Sequence, residues 1–486
     1  MDISSLLLTE SEEQSVNLTS SWNFETTPEI PQLPADIIYQ ILRNFQYCRS
    51  SLCKFLQINQ TWCHISLIFL WNCPFSVSLK AKNSVLLIRT LLSFLSEQEK
   101  SELKLNLTCY ESNISKNSST YNYLDYIRVF DLKHFRLSIL HWISYLRNNN
   151  DDGFFSDSLI VELNKIYKDI PINYSTVNLA SEIISNMLFR KCGNNGLQHL
   201  VIEYDDIITS NYVISKNIIY LNNDLPKLVN FDFHYKLEGN FDKNLLIDRI
   251  VEMFEIMTKS VKNLRWLEAN IEHEEHRLPK IGKALVEFIE EQNNLEVLGI
   301  NEFWMYEESE IYRRICKSQQ KSLKHVRFYG MCNFKELIKG LSECKNLITL
   351  ELLRISKYDS NIIPMNDELE SKGLNNENSE STIYTQDYWN KIAKSIPDSV
   401  FHLGIDFKIE KNMLDMFLKE FVVQYAKKNN NLLKELRFLW DPKDFGFISH
   451  SNLEDAKKFI KIIGKVEPIN KPFYDIKRVK LLNLII

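Results

Sequence analysis

The chain has 486 residues, of which 44% are hydrophobic, 12% aromatic and 25% charged. This composition excludes a disordered or collagen-like polymer, because such chains lack the apolar side chains that offset the entropy of ordering. The formal net charge is −5, and no sizeable block of lysine or arginine indicates a nucleic-acid-binding surface. Glycine and proline number only 12 each, so we expect long regular elements and no glycine-rich phosphate loop.

The sequence predicts a protein of the cytosol or nucleus. Its first residues contain three consecutive leucines followed by acidic residues, which is not the pattern of a signal peptide. No stretch approaches the roughly 18 uncharged apolar residues that a membrane helix needs. The nine cysteines form an odd set in a chain without an export signal, so we expect reduced thiols.

A compact apolar block at 31–75 follows a polar, acidic stretch at 1–30 that we expect to be a disordered leader. The block begins at Leu33-Pro34, where the proline suits the first position of a helix, and Asp36 then places negative charge in the first turn. Three apolar stripes predict three short helices. The stripes are Ile37, Ile38, Ile41, Leu42 and Phe45; Leu52, Phe55, Leu56 and Ile58; and Trp62, Ile65, Leu67, Leu70 and Trp71.

Three short helices make a very small unit. Below about 40–70 residues a core is marginal unless disulfides, a metal or a partner supports it. The block either packs against the rest of its own chain or presents its stripes to another protein. The physical argument alone leaves these two interpretations equally open.

The pattern of this block resembles the F-box, most closely that of an expanded fungal family. The opening is similar at Leu33-Pro34-x-Asp36-Ile37-Ile38-x-x-Ile41-Leu42, with aspartate where many members carry glutamate. The second half is similar at Cys53-x-x-Leu56-x-Ile58-Asn59-x-x-Trp62-Cys63-x-Ile65 and at Phe69-Leu70-Trp71-x-x-Pro74-Phe75. Gln57 departs from the pattern, because a hydrophobic residue often stands there.

The resemblance implies a function. An F-box docks on a Skp-type adaptor and, through it, on a cullin–RING ubiquitin ligase. The chain would then be the non-catalytic substrate receptor of such an SCF-type ligase, without a cofactor. The residues implied to lie at or directly beneath the adaptor interface are Leu33, Pro34, Ile37, Ile38, Ile41, Leu42, Leu56 and Trp62.

Residues 76–190 carry mixed helical patterns and one alternation, Leu103-x-Leu105-x-Leu107. We expect a helical linker that includes an early, poorly marked repeat. A polar stretch at 111–120 is predicted to be a loop.

The region 191–486 repeats one short pattern, L-x-x-L-x-L with aliphatic or aromatic substitutions, and amphipathic helices precede most occurrences. A strand plus a helix at intervals of roughly thirty residues is the leucine-rich-repeat signature. The sequence therefore predicts an α/β solenoid of short parallel strands alternating with helices, with a polar insertion at 356–384. The asparagine or cysteine that is usual at the ninth place of each leucine-rich repeat is missing. The pattern starts at Leu197, Leu228, Leu264, Leu295, Leu323, Leu347, Val400, Leu433 and Ile476.

Side chains alternate along a strand, so the third, fifth and seventh places of each repeat are predicted to line the open face of the sheet. The most informative group is Trp266 flanked by Glu268 and Asn270. An outward tryptophan is costly unless a neighbouring loop or a partner covers it. Most charged members are expected to be solvated surface. The predicted target-contacting residues are His234, Trp266, Glu268, Asn270, Asn301, Arg327, Tyr329, Glu351 and Arg437.

No catalytic motif or metal site is predicted. The sequence contains no G-x-S-x-G, H-E-x-x-H, phosphate loop or dinucleotide fingerprint. The cluster Cys48, Cys53, Cys63, His64 and Cys73 lacks a C-x-x-C pair, and the His-Glu-Glu-His run at 273–276 lacks a closed ligand set. A substrate receptor is the favoured hypothesis. The alternatives are a non-degradative repeat scaffold or sensor and, more remotely, an enzyme with a dispersed site.

Overall fold

A computed structural model of the chain divides it into two compact units, residues 1–228 and 229–486. The first unit begins with a series of helices, and the second is an all-parallel sheet alternating with helices, so the protein is α/β. The predicted leader, the loop at 111–120 and the insertion at 356–384 lie outside the described residues. The structure describes residues 33–46, 48–75, 81–106, 121–148, 174–192, 196–204, 227–236, 243–272, 279–301, 311–329, 337, 340–353, 396–400, 402–406, 435–438 and 461–464.

Three short helices form the N-terminal block, as the apolar stripes predict. They are α1 (Ala35–Arg43), α2 (Arg49–Phe55) and α3 (Gln60–Asn72). Asp36 lies in the first turn of α1, as expected, but Pro34 precedes the helix instead of being its first residue. The reason is its extended ψ of 147°, although its carbonyl oxygen already accepts a hydrogen bond from Ile38 N at 3.0 Å. The Asn59 side chain caps α3 by accepting from Trp62 N at 3.0 Å.

A small core holds these helices together. It consists of Ile38 and Leu42 from α1, Leu52 from α2, and Ile65 and Phe69 from α3, all of them buried. Partly buried aromatic and aliphatic side chains pack around it. Five buried side chains are few for an independent domain, so the block depends on further packing.

The rest of the first unit supplies that packing. Trp71 of α3 stacks on Tyr123, with ring centroids 4.5 Å apart and an interplanar angle of 7°. The Arg49 guanidinium donates from Nη2 to the carbonyl oxygens of Cys73 at 2.7 Å and Pro74 at 3.2 Å. Burial lowers the pKa of Arg49. Trp71 therefore fixes the block to the rest of its unit through α3, while Arg49 ties α2 to the end of the block itself.

Helices also dominate the remainder of the first unit. Its elements are α4 (Ala81–Leu92), α5 (Glu97–Asn106), a 3₁₀ turn (Tyr123–Tyr126), β1 (Val129–Asp131), α6 (Leu132–Asn148), α7 (Tyr174–Lys191) and β2 (His199–Tyr204). The alternation at Leu103 and Leu105 forms part of α5 and not a strand. A capping box explains the helix, because Ser96 N donates to Glu99 Oε2 at 2.7 Å and Glu99 N donates to Ser96 Oγ at 3.3 Å.

The early repeat strand is β1, which pairs in parallel with β2 in the register Val129↔His199. The amides of Gln198 and His199 both donate to the carbonyl oxygen of Arg128, at 2.9 and 3.0 Å. The sequence pattern missed β1 because this strand is only three residues long.

The second unit is a parallel sheet in which each strand pairs with the next strand along the chain. Every predicted repeat start from Leu197 to Leu433 is followed by a strand, whereas Ile476 lies outside the described residues. The elements are β3 (Asn230–Lys236), α8 (Lys243–Ser260), β4 (Trp266–Glu272), α9 (Pro279–Glu290), β5 (Val297–Asn301), α10 (Ile311–Ser318), β6 (His325–Tyr329), β7 (Thr349–Leu353), β8 (His402–Asp406), β9 (Glu435–Phe438) and β10 (Lys461–Gly464). β10 was not predicted, since Gly464 stands at the sixth place of the pattern, where an aliphatic or aromatic residue is expected.

The entries into β4, β5, β6 and β7 share one geometry. The carbonyl oxygen of Val229 accepts from Arg265 N at 2.8 Å and from Trp266 N at 3.1 Å. The same pair of hydrogen bonds recurs at the carbonyl oxygens of Arg265, Glu296 and Lys324. This regularity is consistent with a leucine-rich-repeat-like solenoid.

Glutamines at the ends of the repeat helices replace the missing asparagine ladder. Gln319, 1% exposed and directly after α10, donates from Nε2 to the carbonyl oxygens of Ile289 and Gln292, both at 2.8 Å. Gln292, two residues after the end of α9, donates to Val261 O at 2.9 Å and accepts from Leu264 N at 3.2 Å. Each buried amide thus joins its repeat to the preceding one.

Candidate functional site

The large apolar side chains that are exposed in the described part of the chain all lie in the N-terminal block. They are Leu33 (48% exposed), Ile37 (44%), Phe45 (38%) and Ile58 (53%), and we call them the apolar patch. Ile37 and Ile41 are one helical turn apart on α1, and Phe45 follows one turn later. Phe45 contacts Phe55 with ring centroids 5.3 Å apart, and Ile58 N donates to Phe55 O at 3.3 Å. The patch therefore runs from the start of α1 to the end of α2.

The predicted adaptor-contacting residues differ in their exposure to solvent. Leu33, Pro34 and Ile37 are exposed, Ile41, Leu56 and Trp62 are half-buried, and Ile38 and Leu42 are buried. The buried pair belongs to the small core and supports the surface from beneath. Phe45 and Ile58 were not predicted as site residues, although both continue the apolar stripes past the ends of their helices.

The cysteines of the block do not converge. The exposed Cys48 thiol lies 3.4 Å from Ser50 Oγ and 3.0 Å from Ser51 Oγ, and these hydrogen bonds lower its pKa to about 7. Burial raises the pKa of Cys53. In the ranges that the structure describes, no three histidine, cysteine, aspartate or glutamate side chains are placed to hold a metal ion. The run at 273–276 lies outside those ranges.

The sheet of the second unit has the predicted alternation. Leu267, Ala269 and Ile271 of β4 are buried, whereas Trp266 and Asn270 are half-buried on the opposite face. On β3, Phe231 and Phe233 pack on Phe254 of α8, with centroids 6.2 and 5.1 Å from its ring. The face away from the helices therefore carries the third, fifth and seventh places, and we call it the open face.

Parallel register aligns the fifth places of successive strands in one row across the open face. The order is Asp232, Glu268, Gly299, Arg327, Glu351, Gly404 and Arg437. In this charged row, Arg327 Nε lies 2.7 Å from Glu351 Oε2, and Arg327 Nη1 lies 3.7 Å from Glu268 Oε1. One guanidinium therefore links two carboxylates.

Two glycines of the row lie in close contact with its glutamates. A Cβ atom on Gly299 would lie 3.2 Å from Glu268 Cγ, and one on Gly404 would lie 3.2 Å from Glu351 Cγ. Each glutamate thus lies across the glycine of the following strand. The signal in the sequence was the occurrence of glycine in mid-strand in a chain with only 12 of them.

The predicted target-contacting residues lie on the strands of this sheet. His234 pairs in register with Asn270, and Asn301 pairs with Tyr329. Arg437 occupies its place on β9 at the far end of the charged row.

The expectation of a solvated charged surface is wrong for Glu268 and Glu351. Glu268 and Glu351 are only 9% and 8% exposed, and Arg327 joins them. The pairing could not be predicted from the sequence, because these residues are far apart in the chain and meet only across neighbouring strands.

Comparisons with known proteins add no family to this description. In the part of the chain that the structure describes, no helix is long and apolar enough to cross a membrane. The apolar patch and the charged row are thus defined by this chain's own geometry. No protein-family model matches the chain, and no curated protein matches it significantly.

Proposed function

We propose that this chain is the substrate-recognition subunit of an SCF-type ubiquitin ligase. Its N-terminal block docks as an F-box on a Skp-type adaptor, and its leucine-rich-repeat-like solenoid binds a target protein. Other subunits transfer ubiquitin. The chain contributes by tethering, because holding the target near the charged conjugating enzyme raises its effective concentration there.

The apolar patch is the observation that carries this proposal. Fully burying a leucine, isoleucine or phenylalanine side chain is worth about 1.5–3 kcal/mol, so covering a half-exposed one contributes about 1 kcal/mol. Ile37 is 44% exposed and Ile58 is 53% exposed, while the neighbouring Ile38 is buried. One side of α1 is held in the small core, and the other side exposes apolar residues. Such a pre-organised helix can bind a partner at a low cost of ordering.

The contacts between the block and the rest of the first unit also support docking. Trp71 fixes α3 to the rest of the first unit by stacking on Tyr123, and neither Leu33 nor Ile37 takes part in that contact, since both are exposed. The sequence resemblance supports the same assignment, because Leu33, Pro34 and Ile37 of the F-box opening are exposed residues. The fully buried core of a protein–protein interface is more apolar than the rest of the surface and has a polar rim.

Capture of the full chain with a Skp-type adaptor and a cullin tests the proposal. Wild-type protein is expected to retain both partners. Ile37→Asp is expected to weaken adaptor binding by about 100-fold, because the interface would have to desolvate a carboxylate. Asn294→Asp in the second unit adds the same charge at an exposed site and serves as the matched control.

Circular dichroism of each variant establishes that the fold is retained. Failure of the wild-type chain to bind the adaptor, or equal binding by Ile37→Asp, would contradict the proposal. Adaptor binding without a change in the lifetime of any bound protein on removal of the chain would instead support a non-degradative scaffold.

A further inference from the structure

The apolar patch leaves large side chains in contact with water when no partner is bound. Leu33, Ile37, Phe45 and Ile58 are all exposed. Covering such surface is favourable whatever supplies the cover, in rough proportion to the apolar area that is removed from water. An apolar segment of the same chain that can reach the patch therefore competes with any partner for it.

The leader at 1–30 contains a segment of this kind. The leader lies outside the described residues, so only its sequence bears on the question. Residues 3–8 include Ile3 and three consecutive leucines, Leu6, Leu7 and Leu8. This is the most apolar run that precedes the block, and we call it the leucine segment.

The leucine segment is tethered to the patch, because the leader leads directly into Leu33. About 25 residues separate Leu8 from Leu33, and a chain of that length can span up to about 80 Å. The nine residues of α1 are only about 14 Å long. The connection is therefore long enough for the segment to reach every part of the patch, and a flexible tether of this kind gives an effective concentration on the order of 1 mM.

The charges of the leader and of the block are complementary. The block at 31–75 contains the basic residues Arg43, Arg49 and Lys54 but only one acidic residue, Asp36. Lys54 is exposed in the last turn of α2, four residues before Ile58 at the end of the patch. Residues 1–30 contain no lysine or arginine, and their acidic residues are Asp2, Glu10, Glu12, Glu13, Glu25 and Glu29.

This difference in charge favours the leader over a second copy of the block as the occupant of the patch. Opposite charges attract the leader to the block, whereas two blocks of the same net charge repel each other.

We infer that the leucine segment binds the apolar patch when no adaptor is bound, and that it thereby lowers the affinity of the chain for the adaptor. The inference deepens the proposed function and rests on it, because it describes how the docking surface is regulated. A segment with a Kd of about 0.1 mM for the patch, at an effective concentration of about 1 mM, leaves the patch open about one-tenth of the time. The apparent affinity for the adaptor is then about 10-fold lower than that of an open patch.

Photo-cross-linking of the full-length chain, without adaptor, tests the contact. p-Benzoylphenylalanine in place of Phe45 keeps an aromatic ring in the patch, and mass spectrometry of proteolytic fragments identifies the residues to which it bonds on irradiation. We expect adducts with residues 3–8. The same probe in place of Lys82, which is exposed on α4 and outside the patch, is expected to give at least 10-fold less of this adduct.

Variants of the leader locate the effect. The triple variant Leu6→Ser, Leu7→Ser and Leu8→Ser is expected to abolish the adduct and to bind purified adaptor about 10-fold more tightly than the wild-type chain. The double variant Val16→Ser and Leu18→Ser removes apolar side chains elsewhere in the leader. It is the matched control and is expected to change neither measurement.

The absence of an adduct with residues 3–8 would overturn the inference, and so would equal adaptor affinity of the wild-type chain and the triple variant. A cross-link between two chains, seen as a dimer on a denaturing gel, would also overturn it, because a second copy would then occupy the patch. Adaptor binding without the adduct would leave the proposed function in place. The adduct without adaptor binding by any variant would support the contact and contradict the proposed function, so the two failures are distinguishable.

Discussion

The N-terminal block exposes apolar side chains, whereas the repeat sheet buries charged ones. In the block, Ile37 and Ile58 leave apolar surface uncovered beside a core of only five buried side chains. In the sheet, Glu268 and Glu351 are nearly buried and share one guanidinium, Arg327.

We therefore expect the apolar patch to contribute little to the stability of the fold and the charged row to contribute much. Removing an exposed apolar side chain costs the monomer little, because water already contacts it. Removing one member of a buried charge network leaves its partners unpaired in a poorly screened environment. The two regions therefore predict different responses to mutation.

The largest expected effect on stability comes from the centre of the charged row. Arg327→Met keeps the aliphatic stem but leaves Glu268 and Glu351 without their guanidinium. We expect a loss of about 3 kcal/mol in the free energy of unfolding, measured by urea denaturation. Arg314→Met is the matched control, since Arg314 pairs with Glu290 at 2.7 Å on the exposed side of α10.

The control is expected to change stability by less than about 1 kcal/mol, as for other exposed ion pairs. A similar response of the two variants would show that the charged row does not contribute as a buried network.

An intermediate effect is expected at the glutamine ladder. Gln319→Ala leaves the carbonyl oxygens of Ile289 and Gln292 without their donor, and we expect a loss of about 2 kcal/mol. Urea denaturation followed by circular dichroism measures it. Gln320→Ala, at the half-buried neighbouring position, should change stability by less than about 0.5 kcal/mol. Equal losses would mean that shortening any side chain in this turn, and not the loss of the ladder, is responsible.

The smallest effect is expected at the apolar patch. Ile37→Ser should lower the free energy of unfolding by only about 1 kcal/mol, because the side chain is 44% exposed and loses only the burial of its remaining surface. Ile38→Ala, one residue later and 1% exposed, should cost about 2–4 kcal/mol. Thermal or urea unfolding of both variants compares them directly. A large loss for Ile37→Ser would show that the patch is part of the monomer's own core.

Much of the fold could be predicted from the sequence. The stripe through Ile38 and Leu42 predicted α1, and the pattern beginning at Leu264 predicted β4 and the side of the sheet on which Trp266 lies. Periods of 3.6 and 2 residues are local properties, so they are readable before any packing is known. β1 and β10 were not predicted, because each is too short or too irregular to show the two-residue period of a strand.

The candidate site was predictable only in part. The amino-acid pattern determined which faces of α1 and β4 are apolar, since that depends on neighbours three, four or two positions away. Only the tertiary structure decided that Ile37 stays exposed while Ile38 is buried, and that Arg327 meets Glu268 across Gly299. Those outcomes depend on strand register and on how much surface each unit can cover, and both are set by contacts between residues distant in sequence.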